Sequence, residues 1–303
     1  MAINTGNCRP AMASIGFFDG VHKGHMCLVN QLCEEAARRD MSSLLVTFDR
    51  HPRTVVSPGH VPQLLTTLEE KESLLRRTGV DRIAVLPFTK ALSELSARDF
   101  MEQVLQRELG VKALMLGYDH VFGHGGGSND DFVQWGKEIG MEIVRAQELA
   151  DQMVSSSKCR KLLEEGRVER AASMLGRYYS LSGEVVKGFH VGHELGFPTA
   201  NLRPHPEKLI PARGVYAVWV TLADGSRHAG MLNIGNRPTL ENGEEMTVEV
   251  NVFDYDGNLY GQRVGVEFVE WLRAEQRFDS REELMAQLAQ DAKEAASRLK
   301  AEV

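Results

Sequence analysis

The first half of the chain alternates short apolar runs with amphipathic segments of helical period. The apolar runs predict buried strands, and the segments between them place apolar residues three and four positions apart. Strands are predicted over residues 13–17, 42–48, 83–86, 113–116 and 142–145. Strands that alternate with helices predict an α/β domain with a Rossmann-like parallel sheet. Ligands bind such a sheet in the crevice at the carboxyl ends of its strands.

The segments between these strands predict helices, and two of them begin at capping signals. Thr67 with Glu70, and Ser96 with Asp99, have the spacing of a hydroxyl cap followed by an acidic residue in the first turn. Helices are predicted over residues 26–39, 68–78, 96–110 and 131–139.

The pattern changes after residue 155. Two short helical segments, 157–165 and 167–175, lead into a region of short strands bounded by Gly, Pro, Asp or Asn. Such spacing predicts an antiparallel β-barrel or sandwich, and a charged helix capped by Ser280 ends the chain over 280–299. We place the domain boundary near Ser180, which gives domains 1–179 and 180–303. The predicted strands of the second domain are 181–186, 215–222, 228–234, 247–253 and 262–271.

Charge and cysteine content limit the classes of function. The chain has 303 residues and a formal net charge of -7, so it has no general basic field that would attract a nucleic acid. The four cysteines form no Cys-x-x-Cys pair, which favours free thiols in a reducing cytosol. We find neither a signal peptide nor an apolar run of membrane-spanning length and predict a cytoplasmic protein. The sequence does not predict an oligomeric state.

A His-x-Gly-His turn follows the first predicted strand. His22 and His25 stand where the first helix begins, and the N-terminus of a helix favours an anion. Gly20 and Gly24 allow the backbone to approach a ligand closely. Two imidazoles at this place can donate hydrogen bonds to ATP phosphates and stabilise the charge that develops when the α-phosphorus is attacked. Two surface histidines or half of a zinc site are the alternatives.

A second phosphate-binding pattern lies beyond the middle of the chain. Gly188, Gly192 and Gly196 recur every four residues before a Pro-Thr-Ala-Asn turn, and a glycine-rich segment can wrap phosphates with its N–H groups. Thr199 and Asn201 in that turn offer hard oxygen atoms, which suit Mg²⁺. The alternative is a barrel turn with an Asn cap.

Two further segments offer groups for phosphate chemistry. Glu249 alternates with valines on a predicted strand, and its carboxylate could accept the proton of an attacking alcohol. A glutamate on the solvent face of a strand is the alternative. Residues 155–160 combine hydroxyl groups at a helix start with Lys158 and Arg160, a combination that suits a phosphate. A capped helix with solvated charges is the alternative there.

These segments together resemble bacterial bifunctional riboflavin kinase/FMN adenylyltransferase, also called FAD synthetase. The string from Gly16 to His25, the segment Thr47–Pro52, the segment Gly117–Gly123 and the Ser155–Arg160 signature resemble its N-terminal module. The C-terminal resemblance runs almost continuously from Leu181. It includes Gly196–Asn201, Gly214–Tyr216, Asn233–Thr239, Glu249 and Tyr260–Gly261. Ser157 and Cys159 depart from the family's threonine and isoleucine.

The resemblance implies two ATP-dependent reactions in series: phosphorylation of riboflavin to FMN in the barrel, then adenylylation of FMN to FAD on the parallel sheet. It implies Mg²⁺ at both sites, with Thr199 and Asn201 as metal ligands and Glu249 as the base of the kinase. His22 and His25 would be the catalytic residues of adenylyl transfer. Nucleotide and phosphate contacts are expected from Gly16, Phe17, Gly24, Ser156, Ser157, Lys158, Arg160, Gly188, Gly192 and Gly196. Flavin-side contacts are expected from Asp119, Phe122 and Arg273.

Two alternatives of different class remain open at this point. The chain could be a kinase whose first domain only binds nucleotide, or a carrier that binds flavin without catalysis. Incubation with riboflavin and ATP separates them, because the kinase alone stops at FMN and the carrier forms no product. A carrier would also have no need for a base or metal ligands.

Overall fold

The chain forms two compact units, Met1–Val154 and Ser155–Val303, in a computed structural model. The structure describes residues 9–117, 123, 126–147, 154–187, 197–238 and 244–300. Within these ranges, no helix is both long enough and apolar enough to span a membrane.

The first unit is built on a parallel sheet. Its strands are β1 (Ala11–Ile15), β2 (Ser42–Phe48), β3 (Arg82–Leu86), β4 (Val111–Leu116) and β5 (Glu142–Arg145). They lie in the order β3-β2-β1-β4-β5, and every neighbouring pair is parallel. The predicted fold class of this half is therefore confirmed. Because β1 is central and the chain crosses to opposite sides of it, a crevice for ligands opens where β1 ends.

Helices cover both faces of this sheet. They are α1 (Lys23–Arg38), α2 (Arg53–Val56), α3 (Leu68–Arg76), α4 (Lys90–Glu94), α5 (Ala97–Asp99) and α6 (Asn129–Ile139). A 3-10 turn spans Pro58–His60, and α5 continues as a π-helix over Phe100–Glu108.

Alternate residues of β1 enter the two apolar layers, as the pleat of a strand requires. Met12 packs in a cluster with Leu32 and Leu75, which come from α1 and α3. Ile15 packs in the opposite cluster, to which α6 contributes Phe132. Thr67 and Glu70 form the predicted capping box at the start of α3. The two layers leave the carboxyl end of β1 open for the turn that follows it.

The second unit is a closed antiparallel barrel, as predicted. Its strands are β6 (Tyr179–Val186), β7 (Ala200–Pro204), β8 (Gly214–Thr221), β9 (Arg227–Pro238), β10 (Glu244–Val252) and β11 (Arg263–Arg273). The strands close in the order β10-β7-β6-β11-β8-β9. One strand was missed by sequence reasoning: β7 begins inside the Pro-Thr-Ala-Asn segment, which was interpreted only as a turn.

Three helices pack on the barrel: α7 (Ser156–Glu164), α8 (Val168–Leu175) and α9 (Arg281–Lys300). The predicted boundary near Ser180 assigned α7 and α8 to the first domain, whereas the structure divides the chain before them. The Leu163 carbonyl accepts a 2.9 Å hydrogen bond from the N–H of Ala212. The Glu169 carboxylate accepts one of 2.9 Å from the N–H of Trp271. These bonds tie both helices to the barrel.

Candidate active sites

The histidine turn occupies the open end of β1. Phe18 and Val21 both have positive φ, 53° and 39°, and both are buried. Such φ values are rare for a bulky or β-branched residue, and each stores of order 1–3 kcal/mol of strain. The surrounding structure must therefore fix this turn in place.

Asp19 supplies part of that constraint. Its carboxylate is 3% exposed and accepts hydrogen bonds from the N–H groups of Leu65 and Thr66, each at 3.0 Å. The Thr66 hydroxyl donates to the same carboxylate at 3.2 Å and accepts the N–H of Gly20 at 3.0 Å. Leu65 and Thr66, which lie just before α3, thus hold the middle of the turn in place through hydrogen bonds. Sequence reasoning missed Asp19 and Thr66, because their partners lie far apart along the chain.

The two histidines lie against each other at the start of α1. Their ring centroids are 3.6 Å apart with an interplanar angle of 15°, and His22 is 6% exposed. His22 caps the helix: its Nδ1 accepts the N–H of His25 at 3.3 Å. Because Nδ1 is the acceptor, Nε2 is the donor atom of the His22 ring. The Phe18 ring meets His25 edge-on at 5.3 Å. The structure therefore brings the two predicted catalytic histidines together.

Three other predicted residues have structural tasks in this turn. A Cβ atom at Gly16 would lie 3.0 Å from the Phe18 ring, and one at Gly24 would lie 3.2 Å from the His22 ring. Both glycines therefore make room for a ring. The N–H of Gly16 is bonded to the carbonyl of Val46 at 3.0 Å, and the expected phosphate contacts of Gly16, Phe17 and Gly24 stay predictions. Phe17 turns its carbonyl inward, where the Thr47 hydroxyl donates to it at 3.2 Å.

The hydroxyl-rich signature lies at the start of α7, within the second unit. Ser155 is the N-cap and accepts the N–H of Lys158 at 3.3 Å. Ser157 and Lys158 are exposed, Ser156 and Arg160 are half-buried. Cys159 is fully buried, so the departure from the family's isoleucine falls in the core. Five predicted contacts lie outside the described residues: Asp119, Phe122, Gly188, Gly192 and Gly196.

The barrel site is a row of polar side chains on neighbouring strands. In the sheet register Glu249 of β10 pairs with Asn201 of β7 on one side and with Asn233 of β9 on the other. Directly paired residues project on the same face of a sheet. The Thr199 hydroxyl lies 3.5 Å from the Glu249 carboxylate. The structure therefore unites the three predicted residues of this site and adds Asn233, which sequence reasoning had named only within a motif.

Asn251 holds the turn that presents Thr199. It is 6% exposed, and its side-chain amide donates to the carbonyl of Pro198 at 2.7 Å. It stands two residues beyond Glu249, on the same side of β10, as the alternation in the sequence predicted. Val248 and Val250 point the other way, into the buried interior.

Two cavities share Thr199. One, of about 420 Å³, is bounded by the Pro198–Ala200 segment and the loop Tyr255–Tyr260. The other, of about 270 Å³, has the polar side chains Asn233, Glu249, Glu275 and Gln276 on its wall. Its apolar and basic lining includes Phe197, Met231, Arg273, Phe278, Leu284 and Leu288.

Arg273 reaches the smaller cavity from the end of β11, where the register shifts between Trp271 and Arg273. The carboxylate of Asp291 on α9, 2% exposed, accepts hydrogen bonds from the guanidinium group of Arg273, the shortest being 2.9 Å from Nε and 2.7 Å from Nη2. Gln287 donates to the same carboxylate at 2.8 Å. A bidentate pair of this kind fixes the plane of the guanidinium group. The predicted flavin-side arginine is thus held against the final helix.

The donor atoms of the barrel site fit a hard divalent cation. Thr199, Asn201 and Glu249 present a hydroxyl, an amide and a carboxylate, the oxygen ligands that Mg²⁺ accepts. Among the described residues there is no cluster of three or more His, Cys, Asp or Glu side chains that could hold a metal ion. A metal bound here would therefore depend on substrate phosphates for its remaining ligands.

Comparison with known proteins identifies a family for each half of the chain. Residues 175–299 match the sequence model of the riboflavin kinase family, and residues 5–158 match that of FAD synthetase. The bifunctional riboflavin kinase/FMN adenylyltransferase of Listeria monocytogenes is 34% identical over 92% of this chain and 89% of its own length. The enzyme of the same name from Escherichia coli K12 is 36% identical with the same coverage. A solved structure from Streptococcus pneumoniae, titled a macrolide-efflux protein, covers 95% of this chain and 94% of its own, with a TM-score of 0.86 and 29% identity.

The fold and the matches define an ATP-using transferase with a kinase domain and a nucleotidyltransferase domain. The chain belongs to the bifunctional riboflavin kinase/FMN adenylyltransferase family. Its function is the synthesis of flavin coenzymes.

Proposed function

We propose that the barrel phosphorylates riboflavin at the row formed by Thr199, Asn201 and Glu249, and that the histidine turn serves adenylyl transfer to FMN. The observation that supports the first assignment most directly is the meeting of two cavities at Thr199. A kinase must bring two substrates together at one phosphorus atom, and the cavities approach each other beside a carboxylate.

In this proposal the flavin ring enters the smaller cavity, whose aromatic walls are Phe197 and Phe278, and ATP enters the larger one. Glu249, on the wall of the smaller cavity and 3.5 Å from the Thr199 hydroxyl, accepts the proton of the ribityl hydroxyl as it attacks the γ-phosphorus. Asn251 holds the Pro198 carbonyl and thereby keeps the Thr199 hydroxyl aimed at Glu249. Arg273, fixed by Asp291, orients the flavin.

Thr199 and Asn201 are the proposed protein ligands of Mg²⁺. When bound, the ion neutralises charge on the β- and γ-phosphates of ATP. The side chains themselves position the phosphates and hold the base at a fixed distance from them. We propose Mg²⁺ at the adenylyl site as well, without assigned ligands.

At the histidine turn, Nε2 of His22 is the proposed donor to a phosphate oxygen, because Nδ1 is engaged with His25. His25 lies parallel to it and is proposed to stabilise the leaving pyrophosphate. Ser156, Ser157, Lys158 and Arg160 remain proposed phosphate contacts. Asp119 and Phe122 remain proposed flavin-side contacts, and the glycines 188, 192 and 196 remain proposed phosphate contacts of the kinase. We propose that both reactions take place in the cytoplasm, where free thiols such as Cys27 and Cys33 persist.

A product analysis tests the proposal. The full chain is incubated with riboflavin, ATP and Mg²⁺, and the flavins are separated by chromatography over time. FMN should appear first and FAD should follow. Accumulation of FMN without FAD would contradict the role of the histidine turn, and unchanged riboflavin would contradict the kinase assignment.

A further inference from the structure

Lys71 is a lysine buried where two strands of the first unit end. It lies on α3 and is 2% exposed. Its ammonium group donates to the carbonyl of Phe17 at 3.1 Å and to the carbonyl of Phe48 at 2.9 Å. Phe17 follows β1, and Phe48 is the last residue of β2. Lysine is almost never fully buried unless its charge is compensated. Here the two carbonyl groups accept hydrogen bonds from the buried ammonium group.

Phe17 is held by Lys71 in two ways. Besides the hydrogen bond to its carbonyl, the ammonium group lies 4.1 Å from the centroid of the Phe17 ring, within the range of a cation–π contact. Phe17 is the residue from which the strained turn departs. Fixing its carbonyl and its ring therefore fixes the direction in which the turn leaves the sheet.

The start and the middle of the turn are held by one segment of the chain. Thr66 and the N–H groups beside it hold Asp19 and Gly20, and Lys71, one helical turn further on, holds Phe17. Between and beyond these anchors lie Phe18 and Val21 with their positive φ angles. We call the three side chains Asp19, Thr66 and Lys71 the buried clamp.

We propose that Lys71 is a positioning residue for adenylyl transfer: as part of the buried clamp it holds the strained turn that presents His22 and His25. The inference rests on the proposed role of that turn. Lys71 acts through the backbone of Phe17, so its loss should lower turnover more than it weakens ATP binding. A misplacement of about 1 Å at reacting groups can lower a rate by about 100-fold.

The charge of Lys71 provides a readout that a purely structural side chain would lack. Burial lowers its pKa to about 8, against the opposing attraction of Asp19, Glu72 and Asp49. His51 is also titratable, and the centroid of its ring lies 4.7 Å from that of the Phe17 ring. A charged donor makes hydrogen bonds roughly twice as strong as a neutral one. FAD formation should therefore fall several-fold as the pH rises through about 8, in step with loss of that proton.

The test compares Lys71→Met with Lys90→Met in the full chain, using supplied FMN, ATP and Mg²⁺. Lys90 is a matched control because its side chain is 84% exposed and pairs only loosely with Glu94, at 3.9 Å. We expect kcat for FAD formation to fall at least about tenfold in Lys71→Met, with KM for ATP changed less than threefold, and to stay unchanged in Lys90→Met. The alkaline fall should be present in the wild type and absent from Lys71→Met.

A second variant covers the case in which Lys71→Met does not fold. Thr66→Val keeps the shape of the side chain but removes the hydroxyl that joins Asp19 to Gly20, and it should show the same fall in kcat. Turnover within twofold of the wild type in either variant, or a wild-type alkaline fall retained in Lys71→Met, overturns the inference. His25→Ala separates this failure from failure of the proposed function. If His25→Ala loses FAD formation while Lys71→Met and Thr66→Val retain it, the inference about the buried clamp is wrong and the proposed role of the histidine turn stands.

Discussion

The two sites achieve fixed geometry by different means. The barrel site places Asn201, Glu249 and Asn233 on paired strands, so the sheet ladder itself sets their spacing. The histidine site lies on a turn with strained backbone, and side chains from a distant part of the chain hold it. A strand-borne site needs few supports beyond its own sheet. A loop-borne site of this kind depends on buried polar residues that carry no chemistry of their own.

This difference has a practical consequence for substitutions. In the barrel, the damaging positions should be those that touch substrate or metal. In the first unit, positions such as Asp19, Thr66 and Lys71 should damage catalysis as well, although none of them belongs to the His-x-Gly-His string. The following predictions test whether the two sites are independent and whether they are held as described.

The largest effect is expected at His25. His25→Ala should lower FAD formation by about 100-fold or more, because one aimed donor to the developing charge is lost. FMN formation should continue at the wild-type rate. His205→Ala, at an exposed histidine of the barrel unit, is the matched control. FAD production within a few-fold of the wild type would show that the stacked histidines have no part in the chemistry.

The corresponding change in the barrel is Glu249→Gln. It keeps the volume and removes the basic carboxylate, so riboflavin phosphorylation should fall by about 100-fold, mainly in kcat. Adenylylation of supplied FMN should be unaffected. Glu267→Gln, at a glutamate that pairs with Arg227 on the barrel surface, serves as control. Normal riboflavin phosphorylation by a folded Glu249→Gln protein would contradict the role of Glu249 as the base.

A smaller effect concerns the stability of the first unit. The folded protein releases the Lys71 proton near pH 8, whereas the unfolded chain keeps it until about 10.5. The unfolded state therefore binds more protons between these values, and stability rises with pH there. The free energy of unfolding of the wild type should gain about 2 kcal/mol relative to Lys71→Met between pH 7.5 and 9.5.

Urea titrations at the two pH values measure this gain. The fluorescence of Trp135 follows the first unit if Trp219→Phe and Trp271→Phe are present in both proteins. A constant difference between wild type and Lys71→Met across this range would mean that the lysine titrates normally. The same rise in pH should strengthen the fold and weaken FAD synthesis, which separates stability from activity.

The smallest effect is expected at Arg273. Arg273→Lys keeps the charge but cannot form the bidentate pair with Asp291. KM for riboflavin should rise about fivefold, roughly 1 kcal/mol, with little change in kcat. Arg227→Lys, whose guanidinium group lies on the Trp219 ring of the barrel surface, is the control. If the KM for riboflavin is the same in the two variants, Arg273 does not orient the flavin.

The sequence predicted the regular elements well because periodicity and caps are local signals. The strand over 42–48 and the capping box of Thr67 and Glu70 were predicted as observed. β7 was missed because Pro198 and Asn201 are typical turn residues, and only the barrel ladder makes that segment a strand. The sequence places the domain boundary near Ser180, where the run of strands begins, whereas the structure divides the chain before α7.

The same contrast applies to the sites. His22, His25, Thr199 and Glu249 could be named from motifs, since their residue types suit phosphate chemistry at that spacing. Lys71 could not, because a lysine among the glutamates of α3 has the pattern of an ordinary solvated helix face. Lys71 is buried because α3 packs where β1 and β2 end. These contacts join residues that are far apart along the chain, so the local sequence pattern does not predict them.

Mixing two inactive variants tests most directly whether the chain holds two independent sites in series. His25→Ala and Glu249→Gln proteins are combined with riboflavin, ATP and Mg²⁺, and FAD is measured by chromatography. Neither variant alone should make appreciable FAD from riboflavin. The mixture should make it at a substantial fraction of the wild-type rate, because FMN released by one protein is used by the other. Failure of the mixture, while each variant keeps its remaining single activity, would contradict two separable sites.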